Sequence, residues 1–122
     1  MLPVQHRLRT SAEFNAVTRG LRGVRTGSRL IVVHANQTDP RAVRPPRVGF
    51  VVSKAVGGAV RRNLVKRRLR ACMARLLGGL PPGVDIVVRA QPAAADVPST
   101  VLRTDLERLM ELVVERVAAK AL

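Results

Sequence analysis

Side chains able to do acid–base, nucleophilic or metal chemistry are few and scattered in this sequence. Among 122 residues there are two histidines, His6 and His34, one cysteine, Cys72, and eight acids. Cleavage of a nucleic acid at a protein metal site needs carboxylates converging on one or two hard cations. The basic part of the chain offers only Glu13 and Asp39, with no Asp-x-Asp and no Glu-x-x-His pattern. Asp85 falls in a strand pattern, where it faces solvent as easily as a site. Neither histidine has a carboxylate or cysteine beside it. A single cysteine makes no internal disulfide and no Cys-based metal site. Cys72 lies on an apolar helical stripe, the usual place of a small core residue. Gly57-Gly58 lacks the Gly-Lys-Ser/Thr ending of a phosphate loop. No catalytic residue and no metal ligand is expected in the protein itself.

What the chain carries is charge. Lys and Arg number 22 against 8 acids, a net of +14. Such a field attracts polyanions from a distance. It is also uneven, because residues 1–80 hold all but five of the cations and only Glu13 and Asp39 as acids. The densest stretch runs from Lys54 to Arg75 with Arg61, Arg62, Lys66, Arg67, Arg68 and Arg70 between them, and contains no acid. Solvated helix faces normally mix signs, so an acid-free run of this density points to nucleic acid. Recognition of single strands usually adds aromatic stacking. Here the aromatics are Phe14 and Phe50 alone, so backbone electrostatics should carry most of the affinity.

These residues need elements to position them. Thr10-Ser11-Ala12-Glu13 has the spacing of a capping box and predicts a helix over 11–19, stopped at Gly20. Residues 21–28 read as a loop or a weak edge strand. Leu30–Val33 reads as a strand, Asn36–Pro46 as a long connection with Asp-Pro and Pro-Pro, and Arg47–Ser53 as a second strand. Gly57-Gly58 opens a helix over 59–77, with Val65, Leu69, Cys72, Met73 and Leu76 on its core side. Asn63, Lys66, Arg67 and Arg70 fan over one flank and the back, while Arg61, Arg68 and Arg75 take the other flank. Val84–Arg89 predicts a third strand, Gln91–Pro98 a polar loop, and Ser99 or Thr100 the cap of a helix over 100–118. The acids of that helix should pair with Arg103, Arg108 and Arg116. The order α-β-β-α-β-α, with one extra short strand allowed early, makes one α+β domain over 1–122, a small α/β sandwich. No apolar run approaches the roughly 20 residues of a membrane helix, and no secretory signal is visible, so a cytoplasmic location is expected.

The stretch Arg47-Val48-Gly49-Phe50-Val51-Val52-Ser53-Lys54, followed by Gly57-Gly58-Ala59-Val60-Arg61-Arg62-Asn63-Leu64-Val65-Lys66-Arg67-Arg68-Leu69-Arg70, resembles the bacterial ribonuclease P protein family. The resemblance extends from about Arg7 to Val114. It implies a protein subunit that helps a catalytic RNA remove the 5′ leader from precursor tRNA. Hydrolysis would be carried by the RNA with bound Mg2+, held mainly by RNA and substrate, and no protein partner would be required. It further implies a left-handed crossover through the basic helix, against the usual hand. RNA binding is implied for Lys54, Gly57, Arg61, Arg62, Asn63, Lys66, Arg67, Arg68 and Arg70. Phe14 and Val33 fall at positions of a cleft, between the sheet and the first helix, that takes the leader. Several positions depart from the family pattern. Leu64 replaces an arginine and points outward on a helical wheel, Gly58 replaces an asparagine, and Ala55 replaces a lysine. Thr18 and Val33 stand where relatives often carry aromatics, so the cleft should stack less and rely more on charge.

Rival readings are a general RNA-binding module, a nuclease working without RNA, and a duplex-DNA binder with its basic helix in a groove. Stimulation of tRNA processing separates the first, cleavage by protein alone would favour the second, and the motif match stands against the third.

Overall fold

The computed structural model describes Leu2 and residues 4–19, 23–37 and 44–121. Helix α1 (Ser11–Arg19) begins at the predicted capping box, in which Glu13 N–H donates to Thr10 Oγ1 at 3.1 Å and Thr10 N–H donates to Glu13 Oε1 at 3.0 Å. Strand β1 (Val24–Gly27) makes the described part of the ambiguous 21–28 stretch a short edge strand, and Leu21 and Arg22 lie outside the described residues. Gly20, Asp39 and most of the predicted long connection lie outside the described residues.

Strand β2 (Ile31–Gln37) runs four residues past the expected end at Val33, and tertiary contacts explain why. Asn36 Nδ2 donates to the Ala16 carbonyl at 3.2 Å, and Gln37 Nε2 donates to the Pro82 carbonyl at 2.8 Å. These bonds use the side-chain amide donors of a polar strand end that looks unfit in sequence, while the buried Asn36 Oδ1 has no hydrogen-bond partner among the described residues. β3 (Arg47–Val51) and β4 (Val84–Ala90) complete a four-stranded sheet in the order β1-β2-β4-β3. β2 is antiparallel to β1 and β4, while β3 and β4 are parallel and joined through helix α2 (Ala59–Leu76). Helix α3 (Ser99–Ala121) closes the chain and starts on the Pro98 carbonyl, one residue earlier than expected, which accepts from Val101 and Leu102 N–H.

Alternation along the strands sorts the sheet into two faces. Ile31, Val33, Ala35, Val48, Ile86 and Val88 join α2's Val65, Leu69 and Met73 and α3's Leu102, Leu106, Leu109 and Val113 in the main core. On the other face Val87 meets Leu8 and Val17, with Phe14 and Val51 packed alongside, under α1. The molecule is an α+β sandwich with α1 on one side of a mixed sheet and α2 and α3 on the other. The expected loop at 91–98 instead contains a 3-10 turn, Pro92–Asp96, whose Ala94 is fully buried. Small alanines let that turn sit close against the core, which their polarity pattern alone did not suggest. Among the described residues no helix is long and apolar enough to cross a membrane.

Candidate nucleic-acid interface

The approach to α2 is built from backbone geometry. A 3-10 turn over Lys54–Val56 leads into Gly57, whose φ of 148° suits glycine. A β-carbon there would stand 2.9 Å from Arg61 Cδ, so the glycine also lets the Arg61 stem fold back. Gly58 is the N-cap, extended at φ −70° and ψ 177°, and it offers no side chain to the free N–H groups of the first turn.

Along α2 the cations divide into two sets with different surroundings. Arg61 pairs with Asp96 at 2.5 Å, and Arg68 Nη1 donates to the Val97 carbonyl at 3.3 Å. Both therefore spend donor capacity holding the 92–97 segment, and the local absence of acids in the sequence is partly cancelled by Asp96 from the connection between β4 and α3. Asn63, Arg67 and Arg70 are exposed, and Lys66 is half-buried. Arg62 is also half-buried, and its Nε has no hydrogen-bond partner among the described residues. A buried guanidinium donor without an acceptor is costly, so this atom would gain from an oxygen arriving from outside. Leu64 is half-buried rather than turned fully outward. Lys54 is exposed at the head of the helix.

Lys66 and Arg70 reach the β3 edge, where with Arg7, Leu8, Phe14 and Gly49 they line a recess of about 200 Å³. The structure thus brings Phe14 beside two residues of the basic motif. Val33 requires a correction. It is fully buried in the main core, on the face of β2 turned towards α2 and α3, and cannot line a cleft beside α1. The strand's alternation hands that position to its neighbours Val32 and His34.

Those neighbours line a cleft of about 330 Å³ between α1 and the sheet, together with Asn15, Thr18, Arg19, Arg25, Arg89 and Gln91. Arg25 stands opposite His34 in the β1–β2 register, and Arg89 stands opposite Val32 in the β2–β4 register. Burial, with the positive charge of Arg25 and Arg89, holds the His34 imidazole below its ordinary pKa. Arg19, Arg25, Arg89 and His34 were not singled out as site residues from sequence. Their isolated spacing carries no signal until strand register places them on one face.

Glu13 and Asp85 serve the scaffold. Arg47 donates through Nε and Nη2 to both Asp85 oxygens at 2.9 and 2.8 Å, and through Nη1 to Glu13 Oε2 at 2.5 Å. This fork ties the start of α1 to β3 and β4. Glu13 also accepts from Arg9 and Thr10 N–H, and these bonds, with Arg47 nearby, hold its carboxyl below the usual range. On α3, Arg103 pairs with Glu107 and Arg108 with Asp105, while Arg116 donates instead to the Arg25 carbonyl. Burial pushes the Cys72 thiol up, consistent with a core side chain. Among the described residues no group of three or more His, Cys, Asp or Glu is placed to hold a metal ion.

A mixed sheet with a cation-rich crossover helix on one side and an arginine-lined cleft under a short helix on the other defines a class of small basic α+β proteins. The sequence model of the Ribonuclease P family matches residues 2–114. A ribonuclease P protein component from Streptomyces griseus is 49% identical over 117 residues, covering 91% of this chain and 94% of that protein. Its counterpart from Beutenbergia cavernae is 54% identical over 107 residues, covering 88% and 87%. Among solved structures, the Staphylococcus aureus RNase P protein superposes with a TM-score of 0.78 at 26% identity, covering 89% of this chain and 97% of that one. The Thermotoga maritima RNase P protein gives 0.70 at 28% identity, covering 89% and 96%. The chain belongs to the ribonuclease P protein family.

Proposed function

We propose that this protein, as the ribonuclease P subunit, binds the catalytic RNA and the 5′ leader of precursor tRNA and assists endonucleolytic removal of that leader. The observation that carries the reading is the division of labour on α2. Arg61 and Arg68 are engaged within the chain, whereas Asn63, Arg67 and Arg70 are left exposed on the other flank, with Arg62 Nε beside them unpartnered among the described residues. A flank of this kind suits the phosphates of a folded RNA. The cleft holding Arg19, Arg25 and Arg89 suits an extended single strand. Hydrolysis falls to the RNA, with Mg2+ held mainly by RNA and substrate, and the protein contributes affinity rather than an active site. No protein partner is required, and the particle works in the cytoplasm.

The test is cleavage of a 5′-extended precursor tRNA at low magnesium by ribonuclease P RNA, by this protein, or by both. Activity with both, little with RNA alone and none with protein alone is expected. Salt-sensitive RNA binding without stimulation would leave a general RNA-binding domain, and cleavage by protein alone would point to a nuclease.

A further inference from the structure

The cleft beneath α1 contains one group whose charge can change near neutral pH. His34 projects from β2 towards α1, between Arg25 on β1 and the row of β4 that bears Arg89. From α1 the charged residue at the cleft is Arg19, and Asn15, Thr18 and Gln91 add neutral polar groups. Among the described residues no carboxylate lines the cleft. The nearest acids on the elements packed here, Asp85 on β4 and Glu13 on α1, are both engaged by Arg47. Among the described residues every charged group lining the cleft around the imidazole is therefore positive, and in the free protein burial and the two sheet arginines favour its neutral form.

A polyanion entering the cleft reverses that balance. Phosphates drawn by Arg19, Arg25 and Arg89 would replace a wholly cationic surrounding with a mixed one, and an imidazolium would then be stabilised by the same oxygens. We propose that His34 is a proton-linked contact for single-stranded RNA, taking up one proton from solvent as a phosphate settles between it and the sheet arginines. This rests on the reading of the cleft as the leader site. The consequence is RNA affinity that rises as pH falls, through a residue standing where a purely arginine-lined cleft would respond only to salt. His6 offers an internal reference, since its Nδ1–H donates to the Pro46 carbonyl and it does not line the cleft.

The experiment follows both histidines of the full-length protein by NMR from about pH 8 to about pH 5, with and without a single-stranded RNA of about eight nucleotides. Affinity for the same RNA is measured across that range. Expected is a His34 titration displaced to higher pH by RNA, with His6 unmoved. Affinity should rise about tenfold for each unit of that displacement. The His34→Gln variant should flatten the profile and His6→Gln should keep it. A His34 titration unchanged by RNA, or a profile that survives His34→Gln, overturns the proposal. Arg25→Gln and Arg89→Gln at the alkaline end separate the two levels. If they weaken binding while His34 stays silent, the cleft reading stands and the proton-linked role falls. If neither weakens binding, both fall.

Discussion

The ring of Phe14 lies directly on the backbone of Gly49: a β-carbon built at Gly49 would stand 2.3 Å from both Cε1 and Cζ of that ring. Residue 49 is therefore a glycine because α1 comes down onto β3 at this point. The contact also fixes where the aromatic edge stands relative to Lys66 and Arg70. Gly49→Ala should force the ring aside and cost about 1–3 kcal/mol, the usual range for overpacking. Urea denaturation measures it. Phe14→Ala in the same chain should relieve most of that cost, giving a clear coupling in the double-mutant cycle. Additive losses would show that the two residues do not press on each other.

The two flanks of α2 should differ in their response to salt. About five phosphates held on a single strand predict a log–log salt slope near −3.5, or roughly a hundredfold loss of affinity between about 50 and about 200 mM salt. Arg67→Ala, on the flank read as facing the folded RNA, should weaken binding of that RNA and make its salt slope shallower by about 0.9, the value for one duplex phosphate. Arg108→Ala, on the far side of the sheet from α1 and already paired with Asp105, should leave both affinity and slope unchanged. Equal losses would undo the placement of the RNA face. Arg61→Ala should show a mixed result, since its pairing with Asp96 gives it a part in holding the 92–97 segment.

Glu13 links the fold's stability to acid. Its carboxyl is held below its ordinary value of 4.5, first by the Arg9 and Thr10 N–H donors and then by Arg47. A carboxylate whose folded pKa is depressed contributes stability that is fully present above its unfolded pKa and is lost as pH falls through the folded one. The protein should thus lose stability below about pH 4.5, and Glu13→Gln should lose part of the Arg47 fork already at neutral pH while showing a shallower acid limb. Thermal unfolding of both proteins at neutral and acid pH checks this. Identical acid limbs would remove Glu13 from the explanation.

Periodicity and cap chemistry made most of the fold legible. The Thr10–Glu13 box, the apolar stripe Val65–Leu69–Met73 and the β-branched runs in β2 and β4 each satisfy local rules and tertiary packing together. The misses occur where a tertiary partner overrides a local pattern. Asn36 and Gln37 extend β2 because Ala16 and Pro82 accept their amide hydrogens. Residues 92–96 form a turn because Ala94 is buried. The motif helix was readable because its residues are contiguous, whereas the cleft draws single residues from α1, β1, β2 and β4. A one-residue offset on β2 decides which side chains enter it. Val33 was the natural choice from a resemblance, and alternation puts His34 there instead.

Gly58 offers a stability prediction separable from function. It occupies the N-cap of α2 with extended dihedrals, and the Arg62 N–H bonds to its carbonyl at 2.9 Å, so the backbone already has the geometry of a side-chain cap. The first turn contains no acidic residue to offset its free N–H groups and the dipole. A β-carbon at this position meets nothing within 4 Å. Gly58→Asn should therefore supply the missing acceptor without strain and raise stability by a few tenths of a kcal/mol, about the usual gap between asparagine and glycine at an N-cap. At Gly57 the same change should be destabilising, because φ is 148° and the new β-carbon would press on Arg61. Chemical denaturation of the two variants gives opposite signs if the cap is placed correctly. Like signs would mean that the approach to the basic helix is not held by these two glycines in the way their geometry indicates.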